Sequence, residues 1–303
     1  MENAALMDYW GLVTRSLRLS WKHKFLWFFG FFAASSGGGN VGSWQEEGAP
    51  WLQDLFLRSP HVFVLLIMAL VIVGLLLLVL NVISTGGLIR GVSEAGRERP
   101  ITFSATWRAG LSTFWRLLGL TVLAILVFIV VTMVCVVPIV VSALGGPPGI
   151  AIAFVIAAVL FLPYIAFLLA LTFTVTYAER QIVLRDAGVF DAVRYGWELL
   201  RARVGESFLL WLTALLSRLV FILGLIAALA VLAIPFFIIG IGNAFVALVL
   251  GIPVGVVFII LATSWFSTYL YALWTLAYER LSGYGGDVEE SAWPEAVGAT
   301  GDV

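Results

Sequence analysis

The sequence predicts an all-α integral membrane protein, a bundle of about six transmembrane helices arranged as three degenerate repeats of an amphipathic surface helix plus a helical pair. Three observations lead to this fold class. Hydrophobic residues make up 62% of the 303 and charged residues only 12%, whereas soluble domains carry about 25% charged residues. Apolar runs of spanning length fill nearly the whole chain, and the mean hydropathy is +1.06. Charge is also sorted along the chain. Of the 17 Lys and Arg, all but Arg58 and Arg218 fall in four blocks, 15–24, 90–116, 180–203 and Arg280.

Cytoplasmic segments retain Lys and Arg during insertion, so all four blocks are expected on one side. Both termini are therefore expected in the cytoplasm, with the chain in the bacterial cytoplasmic (inner) membrane. The lone Cys135 excludes an intrachain disulfide framework, and His23 and His61 offer no metal-ligand spacing.

Taken in order, residues 1–24 form an interfacial amphipathic helix. Leu12, Leu17 and Leu19 with Trp10 and Trp21 lie among Arg15, Arg18, Lys22 and Lys24, a headgroup pattern. The apolar stretch FLWFFGFFAA at 25–34 is shorter than the ~20 residues of a perpendicular span, and its basic start also resembles a secretory signal. Asp8 and the long amphipathic lead oppose a signal. Blocks one and two share a side only across an even number of spans, so 25–36 is expected to cross.

Residues 35–60 form the one sizeable outside loop, with Trp44 and Trp51 suited to the outer interface. The clearest span is 61–89, closed beyond Arg97 by Pro100. The stretch 103–116 (FSATWRAGLSTFWR) resembles 190–203 (FDAVRYGWELLRAR), and both read as cytoplasmic-side amphipathic helices, with Ser104 and Asp191 placed to start them. A third span is expected over 117–144, a turn at 145–149, and a fourth span over 150–177 with a kink at Pro163. The fifth run, 208–241, exceeds one perpendicular span and must tilt or lie partly in the interface. The sixth, 244–278, leaves through Tyr278-Glu279-Arg280 much as the fourth leaves through Tyr177-Ala178-Glu179-Arg180. Arg90, Arg180 and Arg280 mark three exits 90 and 100 residues apart, the basis for the repeats. Residues 25–283 thus form the membrane domain. The acidic end, 284–303, holds Asp287, Glu289, Glu290, Glu295 and Asp302 without a basic residue and is expected to be disordered.

Two sets of residues are candidates for function. Arg15, Arg18, Lys22, Lys24, Arg108, Arg116, Arg194, Arg201 and Arg203 are spread along surface helices, a distribution that suits anionic headgroups at up to ~1 kcal/mol per charge and does not suit nucleic acid. The second set lines an inner vestibule. Ser264, Ser267, Thr268, Tyr271 and Thr275 share one helical face, Thr172, Thr176 and Glu179 form a stripe on the fourth span, and Asn81 with Thr85 a shorter one on the second. Facing a cavity, these would form a polar chamber near Arg218. Facing one another, they are interhelical glue at about 0.6 kcal/mol each, the preferred reading. Arg218 lies either at a wet cavity or, preferably, snorkels to the inner headgroups. The pairs Glu179-Arg180 and Glu279-Arg280 read as an interfacial charge with its neighbour solvated.

The motifs Tyr177-Ala178-Glu179-Arg180, Gly188-Val189-Phe190-Asp191-Ala192 and Gly196-Trp197 before Leu199-Leu200-Arg201, with Ser20-Trp21-Lys22 leading into Leu26-Trp27, resemble a group of uncharacterised bacterial multipass membrane proteins. That group is similar to the membrane region fused to some bacterial glycerophosphoryl diester phosphodiesterases. The resemblance covers most of residues 5–283 and implies a membrane protein without an assigned reaction, since no phosphodiesterase domain accompanies it. No nucleophile elbow, phosphate loop or zinc motif occurs in the sequence, so neither catalytic residues nor cofactors are expected. The expected role is a non-enzymatic membrane scaffold or accessory protein that engages anionic lipid and a membrane partner. The alternative is a small-solute or lipid transporter using the vestibule near Arg218.

Overall fold

The computed structural model describes residues 9–34 and 60–283, and these are all-helical. Eight helices follow in order among the described residues: α1 (Tyr9–Lys22), α2 (Leu26–Ala34), α3 (Pro60–Gly96), α4 (Phe103–Ala143), α5 (Gly146–Arg185), α6 (Val189–Ala202), α7 (Val204–Gly242) and α8 (Ala244–Leu281). The loop expected over 35–60, up to residue 59, the first residues of the chain and the acidic end 284–303 lie outside the described residues.

Five of these helices, α3, α4, α5, α7 and α8, are long and apolar enough to cross a membrane. The interfacial helix at 103–116 and the span at 117–144, expected as separate elements, form the single helix α4 of 41 residues, about 60 Å long. Leu111, Trp115 and Leu118 continue the helical pattern, no Pro interrupts it there, and the helix runs on through Gly119. Its cap is Thr102, whose hydroxyl accepts from the Ala105 N–H, while Ser104 lies inside the first turn. Gly188 precedes α6 without a side-chain cap, and Asp191 sits in that helix's first turn, where its charge complements the dipole. Helix α5 remains continuous through Pro163.

Buried residues gather at one end of the bundle. There Arg15 of α1 donates to the Gly96 carbonyl at 2.7 Å, Arg116 of α4 to that of Asp186 at 2.7 Å, and Arg185 to that of Ser282 at 3.3 Å. The C-terminal ends of α3, α5 and α8 and the N-terminal ends of α4 and α7 therefore meet, with α1 and α6 around them. We call this end the hub. Ile89, Leu120, Tyr177, Ile182, Leu200 and Tyr278 belong to its largest apolar cluster. Beyond it the helices part. The most apolar 18-residue windows of α3, α4, α7 and α8 have none of their residues buried, which is the surface expected where hydrocarbon rather than protein is the neighbour.

Helices α1 and α6 and the start of α4 bury the same face. The buried positions are Leu12, Ser16, Leu19 and Ser20 in α1 and Ala192, Gly196, Leu199 and Leu200 in α6, each spaced i, i+4, i+7, i+8. In α4 they are Thr106, Gly110 and Thr113. The middle position is small because backbones touch there. A Cβ on Gly110 would collide with the Ile83 carbonyl, and one on Gly196 would lie 2.7 Å from that of Thr174. So α4 crosses α3 and α6 crosses α5, while Leu12 of α1 packs on Leu273 and Ala277 of α8. Each surface segment thus leans on a helix that returns to the hub.

Candidate functional site

The three returning helices, α3, α5 and α8, supply the polar interior of the hub. α3 and α8 run in parallel register: the Thr85 hydroxyl lies 3.4 Å from that of Tyr271, and two turns further on Ser93 donates to Glu279, which Arg97 approaches at 3.6 Å. α8 meets α5 through the Tyr278 hydroxyl, which donates to Gln181. Tyr177 is wholly buried, shares a hydrogen bond of 2.8 Å with Ser207 of α7, and lies against the ring of Tyr278.

Arg180 is the most deeply buried cation described, 2% exposed. Its Nη1 donates to the Thr176 carbonyl at 2.6 Å and lies 3.4 Å from Glu179, so the side chain folds back along α5 toward the parted helices. The guanidinium carbon sits 5.9 Å from the centre of the Tyr271 ring, a cation–π contact. Nε has no partner, nor does the buried Oγ1 of Thr275, one turn beyond Tyr271 on α8. A buried polar atom without a partner costs roughly 1–3 kcal/mol.

The interfacial reading of the exit pairs changes accordingly. In α5 the arginine turns inward, whereas in α8 the glutamate does, at 8% exposure. Arg180 lies three residues after Tyr177 and shares its inward face, while Glu279 lies four after Thr275 and shares that one.

The vestibule candidates divide between environments. Thr268 donates to the Leu26 carbonyl at 3.2 Å and, like Ser264, is buried against α2, where Asn81 also donates to Phe32 and Ala33. Tyr271 and Thr176 contact Arg180, Thr275 is buried one turn beyond Tyr271, Ser267 is half-buried, and Thr172 is exposed and bonded to its own helix. Arg218 is exposed on α7. Its neighbour Ser217 is the residue that reaches α8, at 2.9 Å from the Tyr269 hydroxyl. Ser93, Arg97 and Gln181 were not legible as site residues, because their roles depend on contacts between distant helices.

Arg18, Lys22, Lys24, Arg108, Arg194, Arg201 and Arg203 are exposed at the hub end. Arg15 and Arg116 are partly committed to the carbonyls of Gly96 and Asp186. Arg194 pairs with Glu198, Arg203 with Glu206, and Arg201 lies over Trp197. Partial burial, with Lys22 adding to it, pushes the His23 imidazole below its ordinary range, so the turn after α1 owes its charge to the two lysines. Trp10, Trp115 and Phe190 stand 77%, 78% and 79% exposed on the three surface segments, so their rings are left for a medium other than the protein. Among the described residues no group of three or more His, Cys, Asp or Glu converges.

A model of a family of unknown function, DUF7544, matches residues 14–279. No curated protein and no solved structure matches the chain.

Proposed function

The chain belongs to DUF7544, a family of unknown function, and from that premise we propose a non-enzymatic integral membrane scaffold or accessory protein of the bacterial cytoplasmic membrane. Its hub end faces the cytoplasm and engages anionic lipid, with α6 as the face offered to a membrane partner. One observation carries the reading: the four basic blocks lie at the same end as three exposed aromatic residues, Trp10, Trp115 and Phe190. Cation and ring together suit the headgroup layer, where aromatic side chains bury a ring and basic ones meet phosphate. The apolar faces of α1 and α6 are occupied by protein, so these helices are docked platforms for the exposed charges and rings.

The finer architecture is part of the same proposal. The shared burial spacing of α1, α4 and α6 supports three repeats, each surface segment leaning on the returning helix of another. The direction of travel supports a sixth crossing: α1 packs on Ala277 at the hub and Pro60 starts α3 at the opposite end, so the chain between them changes ends. Helix α2, with nine residues, covers the hub part of that path. The likeness to the membrane region of glycerophosphoryl diester phosphodiesterases enters as a likeness of architecture and carries no activity.

The test is lipid selectivity. The full chain, exchanged into nanodiscs of mixed phosphatidylglycerol and phosphatidylcholine, is expected to enrich the anionic lipid around it. The triple variant Arg194→Gln, Arg201→Gln, Arg203→Gln is expected to lose much of that enrichment and any co-purifying membrane partner. Equal lipid enrichment by both proteins would remove the proposal.

A further inference from the structure

The hub interior holds a cation that the surface-lipid reading does not use. Arg180 is buried with Nε unpartnered; among the described residues its carboxylate neighbour is Glu179, which reaches Nη1 only at 3.4 Å and keeps a quarter of its own side chain exposed. Beside the guanidinium stands the Tyr271 ring, whose hydroxyl meets that of Thr85, and one turn further along the same face of α8 is the unpartnered Thr275 hydroxyl. These groups come from all three returning helices, and the two atoms among them without a partner, Arg180 Nε and Thr275 Oγ1, are both able to donate.

The surroundings on the other side are apolar and open. Thr172, one turn from Thr176 toward the far end of α5, is already exposed. Helix α3 is exposed at every consecutive position over 67–78, so no helix among the described residues covers it there. In a bilayer that space holds acyl chains. A cation thus lies on the hub side of the region where the helices part, at its floor, with the side chain folded toward that region.

We propose that this floor binds the carboxylate of a free fatty acid. The carboxylate takes the Nε side of the Arg180 fork, the Thr275 hydroxyl adds a hydrogen bond, the Tyr271 ring holds the guanidinium in place, and the single acyl chain runs into the region where the helices part. A guanidinium presents donors in a planar arrangement that matches two carboxylate oxygens. A phosphodiester headgroup brings glycerol and a second chain into a floor where Arg180 is 2% exposed, so the smaller acid is the better fit. The inference rests on the membrane reading of the hub end and not on lipid selectivity at the surface arginines.

Thermal unfolding of the full chain in a nonionic detergent, followed by tryptophan fluorescence, provides the test with oleate, oleyl alcohol and dioleoyl phosphatidate as probes. Oleate is expected to raise the midpoint saturably and oleyl alcohol not to. Arg180→Gln is expected to weaken oleate roughly tenfold or more, as loss of a charge-assisted bond does. Thr275→Val, which removes a hydroxyl without a protein partner and keeps its shape, should weaken it about threefold without lowering the unliganded midpoint. That variant keeps the test open if Arg180→Gln fails to fold. Equal stabilisation by oleate and oleyl alcohol, stabilisation by phosphatidate alone, or an unchanged oleate response in Thr275→Val would each overturn the proposal. The triple surface variant should retain the oleate response, which separates this failure from failure of the surface reading.

Discussion

Tyr177 shows how one side chain joins two parts of the hub. Its ring is buried among apolar residues of several helices, and its hydroxyl shares a bond with Ser207, which also donates to the Arg203 carbonyl. Tyr177→Phe keeps the ring and leaves Ser207 a partner, so the expected loss of stability is about 1 kcal/mol, the ordinary net value of one hydrogen bond. Thermal unfolding in detergent reads it, and a loss of several kcal/mol would mean that the hydroxyl organises more than this pair. Arg180 and Glu279 illustrate the limit of reading residues singly. Both exits carry Glu-Arg, yet opposite charges turn inward because the tyrosine stands one position closer to the pair in α8 than in α5. A shift of one residue rotates a helical face by about 100°, and only the packing shows which member is buried.

At the scale of elements, helix crossings depend on backbone approach. Gly110→Ala would place a methyl group against the Ile83 carbonyl, a backbone atom that cannot rotate away, so α4 must move off α3. The expected cost is about 1–3 kcal/mol, the range for overpacking a close contact. Gly224 has nothing within 4 Å of the place a Cβ would take and is exposed in α7, so Gly224→Ala is expected to be neutral or stabilising by up to ~1 kcal/mol. Matching midpoints for the two variants would show that the α3–α4 crossing is looser than its geometry. The helix periods of these elements were legible beforehand, and the continuity of α4 was not. An amphipathic turn and an apolar span have the same backbone conformation, so a change of surrounding medium along the chain does not mark a helix end.

For the whole molecule, the expected sidedness can be measured by cysteine labelling. In a Cys135→Ser background, Arg99→Cys and Arg201→Cys lie exposed at the hub end, and Gly242→Cys at the opposite end of α7. A membrane-impermeant maleimide is expected to label Gly242→Cys on intact cells, and Arg99→Cys and Arg201→Cys only on inside-out vesicles. Labelling of the two hub positions from opposite faces would end the sidedness reading. The helices meet at the hub and part beyond it, so stability is concentrated where the three returning helices share polar contacts.

The sequence by itself determined that this is a helical chain with long apolar helices suited to a membrane, because apolar content and run length act locally and need no partner; it counted about six spans, where five helices among the described residues are long and apolar enough. It also marked the residues that carry charge. Only the tertiary structure decided which of them lie inside: Arg180 and Glu279 entered the hub, Arg218 stayed on the surface, and the faces of α1 and α6 were covered by protein. Those outcomes depend on neighbours distant in the chain, and helical period alone does not distinguish a face that meets lipid from one that meets another helix.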